Sequence, residues 1–248
     1  MRSVIGVPEP VDLRELEGRD EMEALLACFD LVWGLSTQAR PLSAEALLGL
    51  SHAGNPVVGA FLNGAMVGAS IGMCGVRSDG TTVLRSHMTG VVPTLQHSGV
   101  GRGLKLFQRR WALARRIGRI EWTFDPLVRR NGWFNLMVLG VCAPEYLVDF
   151  YGPLDDGINS GDETDRLLAV WLADRPEVPR RPGPHDVLVP TPPDIVALRG
   201  HDPGAARRWR HDLRQRLGPR LADGWSVVAM TSHGDYVVRP PGPATGVT

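Results

Sequence analysis

Lysine is almost missing from this chain. Of 27 basic residues in 248, only Lys105 is not arginine, which we read as composition bias before function. Cysteine is scarce too. Cys28, Cys74 and Cys142 are odd in number, far apart and set among apolar residues. That argues against a disulfide framework or a metal site, fits a reducing cytoplasm, and reads Cys74 and Cys142 as buried hydrophobes. Neither sign of charge is in excess, with 27 acidic against 27 basic residues. A zero balance removes any global case for nucleic-acid or membrane binding. The first residues lack the apolar run of a signal peptide. No charge occurs from Ala53 to Val76, a stretch long enough to cross a bilayer. Asn63-Gly64 interrupts it, however, and Asn-Gly between apolar runs predicts a buried β-hairpin.

Periodicity predicts the remaining elements. Residues 9–16 alternate as a first strand. Arg19 to Gly34 repeats Met22, Leu25, Leu26, Phe29 and Val32 at helical spacing. Ser43 opens a short helix to about Ser51. Strands follow at Pro56–Leu62, Met66–Arg77 and Thr82–Val92, joined by turns at Asn63-Gly64 and Asp79-Gly80. Strands so poor in charge are buried on both faces, so helices must cover the sheet. A helix over Gly103–Ile117, a strand at Ile120–Phe124, a helix over Asn131–Leu139 and a strand region at Val141–Phe150 complete a mixed α/β domain, residues 1–174. Residues 175–184 are a proline-rich linker. Residues 185–239 read as a small α/β extension, with helices starting at Asp194 and Asp202-Pro203 and a hairpin from Trp225–Met230 and Tyr236–Arg239. Residues 240–248 read as a disordered tail.

The chemistry concentrates in Val91–Leu104. A strand end passes through Gln96-His97-Ser98-Gly99-Val100-Gly101-Arg102-Gly103 into a basic helix. Glycines at alternate positions leave the backbone bare at a helix start, where about half a positive charge gathers. Such a turn cradles a pyrophosphate. Two familiar cradles are excluded. The dinucleotide fingerprint needs glycine where Leu104 stands, and the nucleotide P-loop needs Ser or Thr after the lysine, where Leu106 stands. On the helix, Arg102, Lys105, Arg109 and Arg116 fall on a polar face. They are either solvated or an attractor for phosphate.

With Gln96, Gly99 and Gly101 preceded by Val91-Val92-Pro93, the turn resembles the acyl-CoA loop of the GCN5-related N-acetyltransferase (GNAT) superfamily. The element order of residues 9 to about 150 resembles its fold. The resemblance extends to a bacterial branch of acyltransferases through Ser86-His87-Met88, Trp122 to Leu127, Asn131 to Gly140, Phe150-Tyr151-Gly152, Val189-Pro190 and Trp209-Arg210. It implies a GNAT-like twisted mixed sheet with helices on both faces. It implies that Gln96, Ser98, Gly99, Val100, Gly101 and Arg102 hold the CoA diphosphate, that the backbone of Thr89, Gly90 and Val91 pairs with the pantetheine arm, and that Asn131 contacts that arm. It also implies an acetyl-CoA or succinyl-CoA donor and a small-molecule amine acceptor, with an amino acid suggested by analogy with branch members. The pattern breaks at one position. Many members carry a tyrosine four residues before the glycine closing the fourth helix, to protonate the departing thiolate. Counting back from Gly140 gives Leu136, and neighbouring Asn135 cannot act as an acid.

Direct attack of an amine on the thioester needs alignment, a base and an oxyanion donor. His87 is the first candidate base, with a hydrogen-bonded core histidine as its alternative. Glu121 and Asp125 are further candidates, or else structural partners of arginines. Tyr151 or Tyr146 could stand in for the missing acid, and His97 should face solvent. On the long C-terminal helix, Arg210 could pair a substrate carboxylate. A non-catalytic acyl-CoA sensor or scaffold is the competing function, and thioester hydrolysis or decarboxylation a third. The oligomeric state is open, a homodimer included.

Overall fold

The computed structural model describes residues 11–152, 162–175 and 181–242. Most of the predicted tail, the middle of the predicted linker and the first residues of the opening strand lie outside them. The chain divides into two compact units, Met1–Arg116 and Ile117–Thr248.

The first unit holds β1 (Asp12–Glu15), α1 (Gly18–Trp33), α2 (Ala44–His52), β2 (Val57–Leu62), β3 (Ala65–Val76), β4 (Thr82–Val91) and α3 (Val100–Ala114). Its strands run β1-β2-β3-β4 in spatial order, antiparallel throughout. The uncharged segment is the expected hairpin. Asn63 at φ 52° and Gly64 at φ 78° both take the left-handed conformation that a tight primed turn demands. Alternation along β2 sorts the core into two layers, and a bulge at Val67, opposite the Ala60–Phe61 step, turns Val67 to the face away from Ala69 and Ile71. Val57, Ala69 and Ile71 meet Met22, Leu25, Leu26 and Phe29 of α1 on one face. Val58, Ala60 and Val67 meet Val100 and Leu104 of α3 on the other. Helices cover both faces, as the lack of charge required.

The second unit holds β5 (Arg119–Phe124), α4 (Arg129–Trp133), β6 (Cys142–Leu147), β7 (Arg166–Leu172), β8 (Val187–Val189), α5 (Ile195–His201), α6 (Pro203–Ala222), β9 (Ser226–Met230) and β10 (Tyr236–Arg239). Its strands run β5-β7-β6-β9-β10-β8. The caps read from the sequence form: Asp194 accepts from the Ala197 amide at 3.0 Å and Asp202 from the Ala205 amide at 2.8 Å. Two features went unread. β7 pairs with both β5 and β6. After Trp133, the helix expected over Asn131–Leu139 widens into a π turn, Phe134–Val138. Among the described residues, no helix is long and apolar enough to cross a membrane.

Candidate functional site

In the first unit, the glycine turn begins with a single 3₁₀ turn, Pro93–Leu95. The Ser98 hydroxyl donates back to the Leu95 carbonyl at 2.6 Å. His97 takes φ 67° and Gly99 φ 93°, a value strained for any side chain, with open space where a Cβ would stand. α3 starts earlier than periodicity placed it, at Val100. Its first backbone bond runs from the Gly103 N–H to the Gly99 carbonyl at 2.9 Å, leaving the Val100 and Gly101 amides ahead of the ladder. Among the described residues, no side chain caps this helix start, and its first turn has no acidic residue. Gln96, His97, Ser98 and Arg102 are exposed while Val100 is buried. Gly103 serves packing instead: a Cβ there would stand 3.1 Å from Leu13 of β1.

β4 carries an irregularity that no periodicity predicts. Ile71 of β3 faces Met88, yet the next residue, Gly72, faces Ser86. His87 is therefore the extra residue of a β-bulge. The bulge changes the parity of the strand, so that Ser86 shares a face with Thr89 and Val91, toward α3. Met88 packs on the α1 face, and a Cβ on Gly90 would stand 3.0 Å from Val32 of α1. His87 reaches solvent. Burial of part of its ring, and then the charge of Arg85, push its pKa below the ordinary histidine value, so the imidazole is neutral at neutral pH.

Lys105 is a correction to the polar-face reading. It is 4% exposed, with Nζ donating to Ser86 Oγ at 2.7 Å. Ser86 in turn donates to Gln108 Oε1 at 2.8 Å and lies 3.4 Å from Thr89 Oγ1. Lys105 and Gln108 are one helical turn apart, so both point at β4. Burial pushes the Lys105 pKa down to about 7. Cys74 is exposed rather than buried, and desolvation raises its thiol pKa.

In the second unit, two candidate bases meet arginines. Glu121 is buried with Arg119 Nε 2.5 Å from its carboxylate. Asp125 is buried and accepts from Arg199 at 2.6 Å and from Arg210 at 3.4 Å. Arg210 is 1% exposed and also grips Asp162 with Nε at 3.0 Å and Nη2 at 2.8 Å. The carboxylate expected of a substrate is supplied by the protein itself, which corrects that reading of Arg210. Tyr146 is locked by its hydroxyl on Asp165 at 2.6 Å, and burial drives its pKa far up. Tyr151 is exposed, with its hydroxyl 2.9 Å from Thr123 Oγ1. Asn131 is exposed near the start of α4. Leu136 is buried inside the π turn, so no tyrosine emerges there.

No protein-family profile matches the chain, and no curated protein matches it. Solved structures do. An acetyltransferase of the GNAT family from Streptococcus pneumoniae is similar at TM-score 0.52 and 17% identity, over 66% of this chain and 99% of that one. The ribosomal-protein-S18-alanine N-acetyltransferase of Escherichia coli is similar at 0.51 and 15%, over 69% and 100%. Arabidopsis thaliana Naa50, in complex with the bisubstrate analogue CoA-Ac-MVNAL, is similar at 0.50 and 14%, over 65% and 97%.

Proposed function

We propose that this chain, which has the fold of the GCN5-related N-acetyltransferases, is an acyl-CoA-dependent N-acyltransferase that passes an acetyl or succinyl group to the amine of a small molecule by direct attack. The observation that carries the reading is the start of α3. A helix N-terminus is positive, and this one adds Arg102 in its first turn while bringing neither an acidic residue nor a side-chain cap. That arrangement is unfavourable alone and favourable around a diphosphate. Gly99, at its positive φ, gives the anion access to backbone. The diphosphate would be held by Gln96, Ser98, Gly99, Val100, Gly101 and Arg102, and the pantetheine arm by the backbone of Thr89, Gly90 and Val91. The bisubstrate analogue bound to the Arabidopsis protein is consistent with an acyl-CoA donor here.

Of the catalytic candidates, His87 suits a base best, because it is neutral and reaches solvent. Glu121 is held by Arg119, which favours its structural role. Tyr151, exposed and with its hydroxyl 2.9 Å from Thr123 Oγ1, is the candidate acid among the tyrosines. The competing reading, an acyl-CoA sensor without turnover, draws on Leu136 in the acid's place and on the locked Tyr146.

Calorimetry with acetyl-CoA and succinyl-CoA, followed by free-thiol release against a panel of small amines, separates the readings. Binding with amine-dependent thiol release is expected. Binding without release selects the sensor, and no heat with either ester discards both.

A further inference from the structure

We propose that Lys105 is a positioning residue for the proton of this reaction, drawing it from the attacking amine through the hydroxyls of Thr89 and Ser86. The inference rests on the acyl-transfer reading above.

Four observations converge. Lys105 Nζ, Ser86 Oγ and Thr89 Oγ1 form a file, with links of 2.7 and 3.4 Å, leading from the buried face of α3 to the part of β4 assigned to the thioester. The bulge at His87 is what brings Ser86 and Thr89 onto one face. Gln108 anchors Ser86, while its own Nε2 is buried with no partner among the described residues. The cluster thus holds more polar capacity than packing needs. Finally, Lys105 is the single lysine in the sequence, beside 26 arginines. An arginine here would keep its charge and could not take a proton, whereas a buried lysine can. Burial brings Nζ to about 7, where the amine is a competent acceptor. Charged and titratable groups on the elements packed against α3 in this unit are Asp12, Arg14 and Glu15 of β1, Cys74 of β3, and Arg85 and His87 of β4. α3 itself adds Arg102, Arg109 and Arg110.

The step balances. The amine nitrogen bonds to the thioester carbon, and sulfur leaves with the electron pair of the broken C–S bond. The nitrogen, now positive, loses one proton to Thr89 Oγ1. Thr89 passes its own proton to Ser86, whose hydroxyl turns from Gln108 Oε1 to Nζ and gives its own proton to Lys105, which becomes an ammonium. Return of that proton along the same file to the thiolate completes the CoA thiol, so the file takes over the tasks of base and acid that would otherwise fall to His87 and a tyrosine.

The single lysine makes the test direct. Growth on ¹³C,¹⁵N-lysine labels one side chain of the full-length protein, whose titration can be followed by NMR. We expect Nζ to titrate more than two pH units below an exposed lysine, with a midpoint that moves in S86A. In steady-state assays on the best amine of the panel, K105M and K105R should each lower kcat roughly 10²-fold at neutral pH and abolish the limb of the kcat profile that follows the NMR midpoint, with acetyl-CoA affinity unchanged. Should K105M fail to fold, K105R and S86A carry the test. An Nζ that stays charged to pH 9, a K105R enzyme of full activity, or identical pH profiles in wild type and variants would overturn the role of Lys105 and leave the acyl-transfer reading standing. Absence of turnover by the wild-type protein would remove both.

Discussion

A buried arginine stabilises a fold only while its carboxylates stay ionised. Arg210, Arg199, Asp125 and Asp162 form one such cluster, and Arg214 with Asp165 and Glu163 forms its neighbour. Replacing Arg210 by Ala takes from two buried carboxylates, Asp125 and Asp162, one of the two arginines that bond both. A loss of about 3–5 kcal/mol in urea unfolding is expected, without a lost substrate contact. Burial opposes ionisation of Asp162 and Asp165, but hydrogen bonds from Arg210 and Arg199 to the first, and from Arg214 and Tyr146 to the second, hold both below the ordinary carboxylate range. Their stabilisation is therefore complete above the unfolded value of about 4 and is lost as pH falls through the lowered folded values. Thermal melts between about pH 5 and pH 2 should show this loss, and Asp165→Asn should flatten it. At the glycine turn, Gly99→Ala places a side chain at φ 93°, at a cost of about 1–2 kcal/mol, and should weaken acetyl-CoA binding measured by calorimetry. These residues show how legibility divides at this scale. Gly99 and Asp202 declare themselves because their jobs are local. Arg210 looks like a surface cation in sequence, since its partners lie 85 and 48 positions away along the chain.

Elements closed by neighbouring residues were legible. The β2–β3 hairpin follows from Asn63-Gly64, and Gly64→Val should cost about 1–2 kcal/mol with an unchanged urea m-value, because only the left-handed turn is strained. α6 follows from Asp202-Pro203 and its apolar repeat. That repeat points Ala206, Leu213, Leu217 and Leu221 inward, though Arg210 rather than Trp209 completes the buried stripe. Elements closed by distant partners were not. β7 is an apolar run with no alternation and no turn motif of its own, and it becomes a strand by pairing with β5 and β6. The same holds for the joint of α4 with the terminal hairpin. Tyr236 donates to the Pro126 carbonyl at 2.7 Å, and a Cβ on Gly132 would stand 2.8 Å from that hydroxyl. Tyr236→Phe leaves a buried carbonyl unpaired and should cost about 1–3 kcal/mol in equilibrium unfolding. The π turn and the β4 bulge each accommodate one extra residue, and packing decides where that residue goes.

For the molecule as a whole, ligand linkage gives the most direct measurement. Acetyl-CoA at about a hundred times its Kd should add roughly 2.7 kcal/mol, and a chain of this size should then melt about 5–11 °C higher. A melting point indifferent to acetyl-CoA would remove the cofactor from the account. The sequence by itself determined the α/β class, the order of most elements, the two-faced burial of β2 and β3, and the glycine turn ahead of α3. Each of these is written in spacings of a few residues, which backbone sterics and hydrophobic periodicity translate without outside help. Only the tertiary structure decided that Lys105 is buried on Ser86, that Arg210 answers the protein's own aspartates, that β7 is a strand, and that His87 is the residue at which β4 breaks register. Those outcomes depend on which distant side chain arrives to satisfy a charge, a hydroxyl or a row of amides, and no local pattern encodes an arrival.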